Sequence, residues 1–344
     1  MIYFHNDYNE GCHPAVMEKL VQLQGQQMNG YGVDPCCQAT ADKIRTACKA
    51  ENAAVHFLVG GTQTNLTVIA AALRPHHGVI AAESAHIHVH ETGSIEATGH
   101  KVLALPSPDG KITAQQVADL VAAHHTSGDR EHMAKPKMVY ISHPTEWGTL
   151  YTKKELEELS RVCHQWGLYL FVDGARLGYG LTACDSDVTL PDLARLCDVF
   201  YIGGTKCGAM FGEAVVITNP VIGEDFRYLI KQRGGMLAKG WLLGAQFDAL
   251  FTDGLYLSIS SHANTMAQQI RSCLQELGYP MVTETTTNQL FPILPDALLE
   301  QLSKEVTFSE MHRVDEGHRA VRFCTSWATT QQQVDTLCAL LRRG

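Results

Sequence analysis

Between residues 53 and 218, short apolar runs alternate with stretches in which apolar side chains recur every three or four positions. The runs at 54–59, 78–82, 101–105, 137–142, 168–172, 199–203 and 213–218 have strand length. Several are apolar without alternation, the pattern of strands covered on both faces. Segments 62–73, 113–124 and 153–166 read as the helices between them. This alternation predicts an α/β fold with a mostly parallel sheet of about seven strands. One connection departs from it. Only nine residues separate Gly203 from Glu213, and a parallel crossover needs about a dozen or more, so the last strand is expected to run antiparallel.

Beyond residue 220 the pattern changes. Helices are expected at 226–231, 243–256, 262–277 and 330–341, with short strands at 290–293 and 321–324. The expected division is a large domain over 1–250, including the N-terminal segment, and a smaller α+β domain over 251–344. The 344 residues are 45% hydrophobic and 18% charged, which suits a folded enzyme with a sizeable core. A net charge of −9 argues against nucleic acid or an anionic membrane as partner. No segment approaches the roughly 20 apolar residues of a membrane span, and residues 1–7 carry no basic or apolar leader, so a cytoplasmic location is expected. Eleven cysteines without a C-x-x-C pair read as packing residues in a reducing compartment, Cys207 among them.

Three of the apolar runs end in chemistry. The run at 199–203 leads through Gly203-Gly-Thr to Lys206, and the run at 168–172 leads to Asp173 and Arg176. The first run ends in Gly60-Gly61-Thr62 and opens a helix. All three follow their strands, so they converge on the carboxyl edge of the sheet, where open α/β folds bind ligands. A desolvated lysine amine, a carboxylate and a glycine-rich helix start together suit pyridoxal phosphate. The lysine forms the Schiff base, the carboxylate partners the pyridinium nitrogen, and the helix start cradles the phosphate. Arg176 offers a two-pronged fork to a carboxylate. His86, His88 and His90 would share one face of a strand, but a helix would scatter them, so no metal site is expected. His86 instead suits stacking on the cofactor ring, with Glu91 in support. Trp147 and Tyr31 could line an aromatic pocket, though single aromatics more often belong to the core.

Glu83-Ser-Ala-His86, Val172-Asp-Gly-Ala-Arg-Leu177 and Gly203-Gly-Thr-Lys-Cys-Gly-Ala-Met210 together resemble the low-specificity threonine aldolase family. These are fold-type I pyridoxal-phosphate enzymes grouped with the aromatic amino-acid β-eliminating lyases. The resemblance runs from Phe4-His-Asn-Asp7 to the last helix. Ile141-Ser-His-Pro-Thr-Glu-Trp-Gly-Thr149 and Arg233-Gly-Gly-Met-Leu-Ala-Lys-Gly240 are similar to the branch that includes phenylserine aldolases. The resemblance implies that Lys206 holds the cofactor, Asp173 meets its ring nitrogen, Gly61 and Thr62 bind phosphate, and His86 stacks on the ring. Arg176 and Arg322 would hold the substrate carboxylate. Asn6 stands where the family commonly has serine, His143 where relatives often carry glutamine or asparagine, and Cys207 in place of the more usual asparagine.

The expected reaction is cleavage of L-threonine, L-allo-threonine or a related β-hydroxy amino acid to glycine and an aldehyde. His86 or His143 is the candidate base for the hydroxyl proton. The family also implies a homotetramer built as a dimer of dimers, with Lys239 a candidate for reaching a neighbour's phosphate. The same lysine–aspartate–phosphate kit would serve a β-eliminating lyase or an aminotransferase, or a non-catalytic protein that binds the cofactor.

Overall fold

The seven runs form one seven-stranded sheet in a computed structural model that describes residues 1–343. Its strands are β1 (Ala54–Leu58), β2 (His77–Ala82), β3 (Lys101–Leu105), β4 (Lys135–Ser142), β5 (Tyr169–Asp173), β6 (Val199–Gly203) and β7 (Glu213–Ile217). Each boundary falls within two residues of its expected place. The spatial order is β1-β7-β6-β5-β4-β2-β3. β7 runs antiparallel to both neighbours, pairing Gly203 with Glu213 and Leu58 with Glu213, while the remaining pairs are parallel. Every residue of β2, β6 and β7 is buried, which explains why these runs lack polar alternation.

Helices Gly61–Ala72, Ala114–Thr126 and Lys153–Trp166 lie where the periodicity places them. Thr113 with Gln116, and Thr152 with Glu155, close reciprocal caps at the starts of the last two, each worth roughly 1 kcal/mol.

In the C-terminal third, helix Asp296–Leu302 and strands Val306–Thr307 and Ser309–Arg313 were not expected, and two expected elements take a different form. The helix expected over 243–256 is two helices, Trp241–Leu250 and Leu255–Glu276, and the second begins seven residues before 262. Apolar periodicity continues across the break, but Asp253 and Gly254 adopt φ values of 50° and 70° and turn the chain. The turn lets the Tyr256 hydroxyl donate to the Gly203 carbonyl and accept from Gly178 N–H, both at 3.0 Å. The strand expected over 290–293 is interrupted at Pro292, which has no N–H for the ladder, and becomes Gln289–Leu290 and Ile293–Pro295. Helices Pro14–Leu23 and Pro35–Cys48 were not foreseen, although both carry proline in the first turn and a capping side chain, His13 and Asp34.

Two apolar cores result. The larger surrounds the sheet; the smaller gathers Leu290, Leu298, Val306, Phe323 and Leu337 with Phe4. Helix Leu255–Glu276 serves both, giving Tyr256, Ile259 and Ala263 to the first and Met266, Ile270 and Leu274 to the second. The N-terminal strand Ile2–Tyr3 pairs with Val306–Thr307, so the chain's start packs with its last third.

The carboxyl ends of β5 and β6 approach so closely that side chains are excluded. Gly203 N–H donates to the Gly174 carbonyl at 2.9 Å. A Cβ on Gly174 would lie 1.8 Å from the Tyr201 carbonyl oxygen, and one on Gly203 would lie 2.3 Å from that of Ala175. Gly174→Ala is therefore expected to cost about 3 kcal/mol or more. Gly128→Ala, where a Cβ would meet nothing within 4 Å, should change stability by less than about 0.5 kcal/mol. Equal melting temperatures for the two variants would contradict this account of the strand ends.

Candidate active site

The carboxyl ends of β4, β5 and β6 and the start of helix Gly61–Ala72 enclose a cavity of about 340 Å³. Gly60, Gly61, Thr62, His86, Asp173, Arg176 and Lys206 all line it. His143, Asn6 and Arg322 do not.

Lys206 sits on the short return from β6 to β7, and its carbonyl accepts the Tyr179 hydroxyl. Burial and the nearby Arg176 hold its ammonium below the ordinary lysine range, against the opposing pull of Asp7, Asp173 and Glu213. An amine held that way is more readily the free nucleophile. Glu213, which opens β7, takes Gly204 N–H at 3.0 Å and the Thr205 hydroxyl at 2.9 Å. Burial pushes its carboxyl up to about 8, although Thr205, Lys206 and Gly204 pull it down. The two residues before Lys206 are thus clamped by the strand that follows it.

Asp173 is the hub of a buried network. Oδ1 accepts Ala175 N–H at 2.9 Å, and Oδ2 accepts Asn65 Nδ2 at 3.0 Å together with the Tyr140 hydroxyl. Burial alone would raise this carboxyl, but Tyr140, the neighbouring Tyr201, Ala175 N–H and His86 hold it below the usual aspartate range. A carboxylate kept ionised here can hold a proton on a pyridine nitrogen. Asn65, on the first turns of helix Gly61–Ala72, also donates to Glu91 Oε1 at 2.7 Å. The same oxygen meets His86 Nδ1 at 2.7 Å. A carboxylate only accepts, so Nδ1 carries the hydrogen and Nε2 is left for other work. The other two histidines of that segment, His88 and His90, are exposed.

The helix start suits a phosphate. Gly60 is its N-cap and no side chain caps it, so the first N–H groups of a 12-residue helix keep their positive ends free. The buried Tyr201 hydroxyl has no hydrogen-bond partner and lies 3.2 Å from where a Cβ on Gly61 would be. Lysine, ionised aspartate, uncapped helix start and orphan hydroxyl together fit pyridoxal phosphate.

Arg176 is only partly available. Its Nε and Nη2 form a two-pronged ion pair with Asp7 at 2.7 and 2.9 Å. Asn288 Nδ2 adds a third donor to Asp7 at 2.9 Å. Burial opposes ionisation of Asp7, but Arg176 and Lys206 hold its carboxyl below the ordinary range. Arg322 donates to the His5 carbonyl at 3.1 Å, to Gln289 Oε1 at 3.3 Å and to the Ser309 hydroxyl at 3.4 Å, while its buried Nε has no partner. Asn6 spends its side-chain oxygen on Tyr8 N–H at 2.9 Å. His143 is fully buried, neither ring nitrogen has a partner, and burial drops its imidazole to about 4. It is absent from the cavity lining, although its neighbours Ser142 and Pro144 belong to it.

Other candidates fall elsewhere. Tyr31 borders a separate cavity with Arg227 and lies under Lys231. Trp147 packs on Phe291 at 5.4 Å between ring centres. Cys207 is buried, and burial pushes its thiol up to about 12. Lys239 is exposed before helix Trp241–Leu250.

Residues 9–296 match the family model for beta-eliminating lyases. The low specificity L-threonine aldolase of a Pseudomonas species is 29% identical over 346 aligned positions, covering 98% of this chain and 96% of its own. Threonine aldolase from Leishmania major superimposes with a TM-score of 0.97 at 44% identity, covering 100% of this chain and 99% of its own. Aspartate aminotransferase from Thermus thermophilus shares the fold, with a TM-score of 0.73 at 16% identity over 100% of this chain and 91% of its own.

The buried neutral His143 has a consequence for stability. Its folded value near 4 lies below the roughly 6.5 of an unfolded histidine. The unfolded chain therefore takes a proton that the folded one refuses. Its stabilising contribution is whole above about pH 6.5 and is lost as pH falls towards about 4, by on the order of 3 kcal/mol. Melting temperature measured across that window should fall less steeply for His143→Leu than for the parent. Identical slopes would contradict the assignment.

Proposed function

Because the chain belongs to the beta-eliminating lyase family, with threonine aldolases as full-length relatives, we propose that it splits β-hydroxy-α-amino acids such as L-threonine and L-allo-threonine into glycine and an aldehyde. It is a pyridoxal-phosphate-dependent lyase. The observation that carries the reading is the meeting of Lys206, Asp173 and an uncapped helix start in one cavity, in a chain 44% identical to a threonine aldolase. When bound, the cofactor supplies an aldehyde for the lysine amine and a ring that draws electrons from Cα.

The chain's own residues do the rest. Lys206 offers the amine, and Asp173, fixed by Asn65, Tyr140 and Ala175, keeps the ring nitrogen protonated. Gly61 and Thr62 present N–H groups to the phosphate. His86, fixed through Nδ1 by Glu91, stacks on the ring. Arg176 has Nη1 unengaged among the described residues, so it can meet the substrate carboxylate while Asp7 holds the rest of the fork. Fixing that carboxylate sets the angle at which the Cα–Cβ bond stands to the ring. Arg322 lies outside the cavity lining and is a second candidate for that carboxylate through its unpartnered Nε. Phenylserine is a further candidate substrate, from the likeness around Ser142 and Glu146.

The proposal includes a homotetramer in the cytoplasm and a domain boundary near residue 251. Exposed Tyr31, Val33 and Tyr228 support self-association, and no helix among the described residues is long and apolar enough to cross a membrane. Light scattering should give about four times the 37.8 kDa chain mass; a monomer would refute the tetramer. In assays, glycine and an aldehyde are expected products, whereas ammonia and a keto acid would indicate β-elimination. Lys206→Ala should lose both turnover and the absorbance of bound cofactor, and a variant keeping both would sink the assignment of Lys206.

A further inference from the structure

Retro-aldol cleavage needs a group to take the β-hydroxyl proton, and most candidates in or beside the cavity are engaged. Asp173 already receives three donors, Asp7 is locked to Arg176, and both oxygens of Glu213 hold the Lys206 turn. His143 lies outside the cavity lining, and His86, which lines it with Nε2 free, is assigned above to stacking on the ring.

Glu146 is different. It lines the cavity from the loop after β4. Its Oε1 accepts His86 N–H at 2.8 Å and the Ser142 hydroxyl at 2.7 Å. Two donors from two segments fix the carboxylate's orientation, and the first places it beside the histidine expected to cover the ring. Oε2 makes no hydrogen bond among the described residues, and no lysine or arginine there forms an ion pair with Glu146. Burial raises the carboxyl above the ordinary glutamate range, and Asp173 adds to this; Ser142 and His86 N–H pull against it. A carboxyl moved in that direction is a better match for proton transfer near neutral pH.

We infer that Glu146 Oε2 takes the proton of the substrate's β-hydroxyl as the Cα–Cβ bond breaks, an assignment that rests on the aldolase reading above. The oxygen–hydrogen electron pair closes the carbonyl of the departing aldehyde. The Cα–Cβ pair stays with the glycine fragment, which gains one proton at Cα. The proton lost by oxygen balances the one gained by carbon. The competing account makes Glu146 a staple only, joining the β4 loop to the His86 segment. Glu146→Gln separates the two, because the amide oxygen can still accept both donors while proton uptake is lost.

The test compares parent and Glu146→Gln holoenzymes on L-threonine across pH, with two measurements that do not depend on turnover. Glu146→Gln should keep the absorbance of bound pyridoxal phosphate and its response to glycine, yet lose cleavage by about 100-fold or more. In the apoprotein, an infrared carboxyl band that titrates above the ordinary glutamate range should vanish in the variant. Ser142→Ala, which removes one donor to the ionised form, should move the acid limb of the parent's pH profile to higher pH. The inference is overturned if Glu146→Gln cleaves within about threefold of the parent with the acid limb intact, or if that limb is removed only by His86→Asn. A parent enzyme that releases no glycine from any β-hydroxy amino acid overturns the aldolase reading itself, and this assignment with it.

Discussion

The close contact between Gly174 and Gly203 is the constraint on which the site depends. Backbone meets backbone where β5 and β6 end, and each strand delivers its functional residue immediately beside that contact. Asp173 precedes Gly174, and Lys206 follows Gly203 by three positions. Spreading the strand ends by the width of a methyl group would move carboxylate and amine apart by a similar amount. Glu213 reinforces the arrangement from the far side by gripping Gly204 and Thr205, and Tyr256, in the first turn of helix Leu255–Glu276, holds the Gly203 carbonyl. Separate segments of the chain thereby converge on holding one short turn.

The second organising feature is the compensation of buried charge. Asp7, Asp173 and Glu91 are almost entirely buried, and an ionised carboxylate in that position is costly unless donors surround it. Each has them. Arg176 and Asn288 serve Asp7; Tyr140, Asn65 and Ala175 serve Asp173; His86, Asn65 and Ser94 serve Glu91. Asn65 belongs to two of these sets, so the helix with the uncapped N-terminus also aligns Asp173 and, through Glu91, His86. Glu146 has fewer compensating partners, which leaves its carboxyl free to exchange a proton.

Much of this was legible in the sequence where the signal is local. Continuous apolar runs gave the strands, the nine-residue return from Gly203 gave the antiparallel β7, and the residues following those runs named Lys206, Asp173, Gly61 and Thr62. What stayed hidden depends on contacts distant along the chain. Nothing near Asp7 announces that it will occupy Arg176, 169 residues later. Nothing near His143 shows that it turns inward while Glu146, three positions on, faces the cavity. Glu213 was nearer to view, being the one acidic residue in an otherwise apolar strand. The helix expected over 243–256 shows the opposite error: apolar periodicity persisted through Asp253-Gly254, and the turn chemistry of that pair outweighed it.

Helix Leu255–Glu276 gives the molecule a mechanical property of its own. At 22 residues it is roughly 33 Å long, and its two halves are apolar ribs of different cores. Melting either core alone would strip one half of the helix to water while the other half stayed packed. That exposure penalises partial unfolding and favours loss of both cores together. A single continuous element thus makes two bodies of side chains behave as one thermodynamic unit.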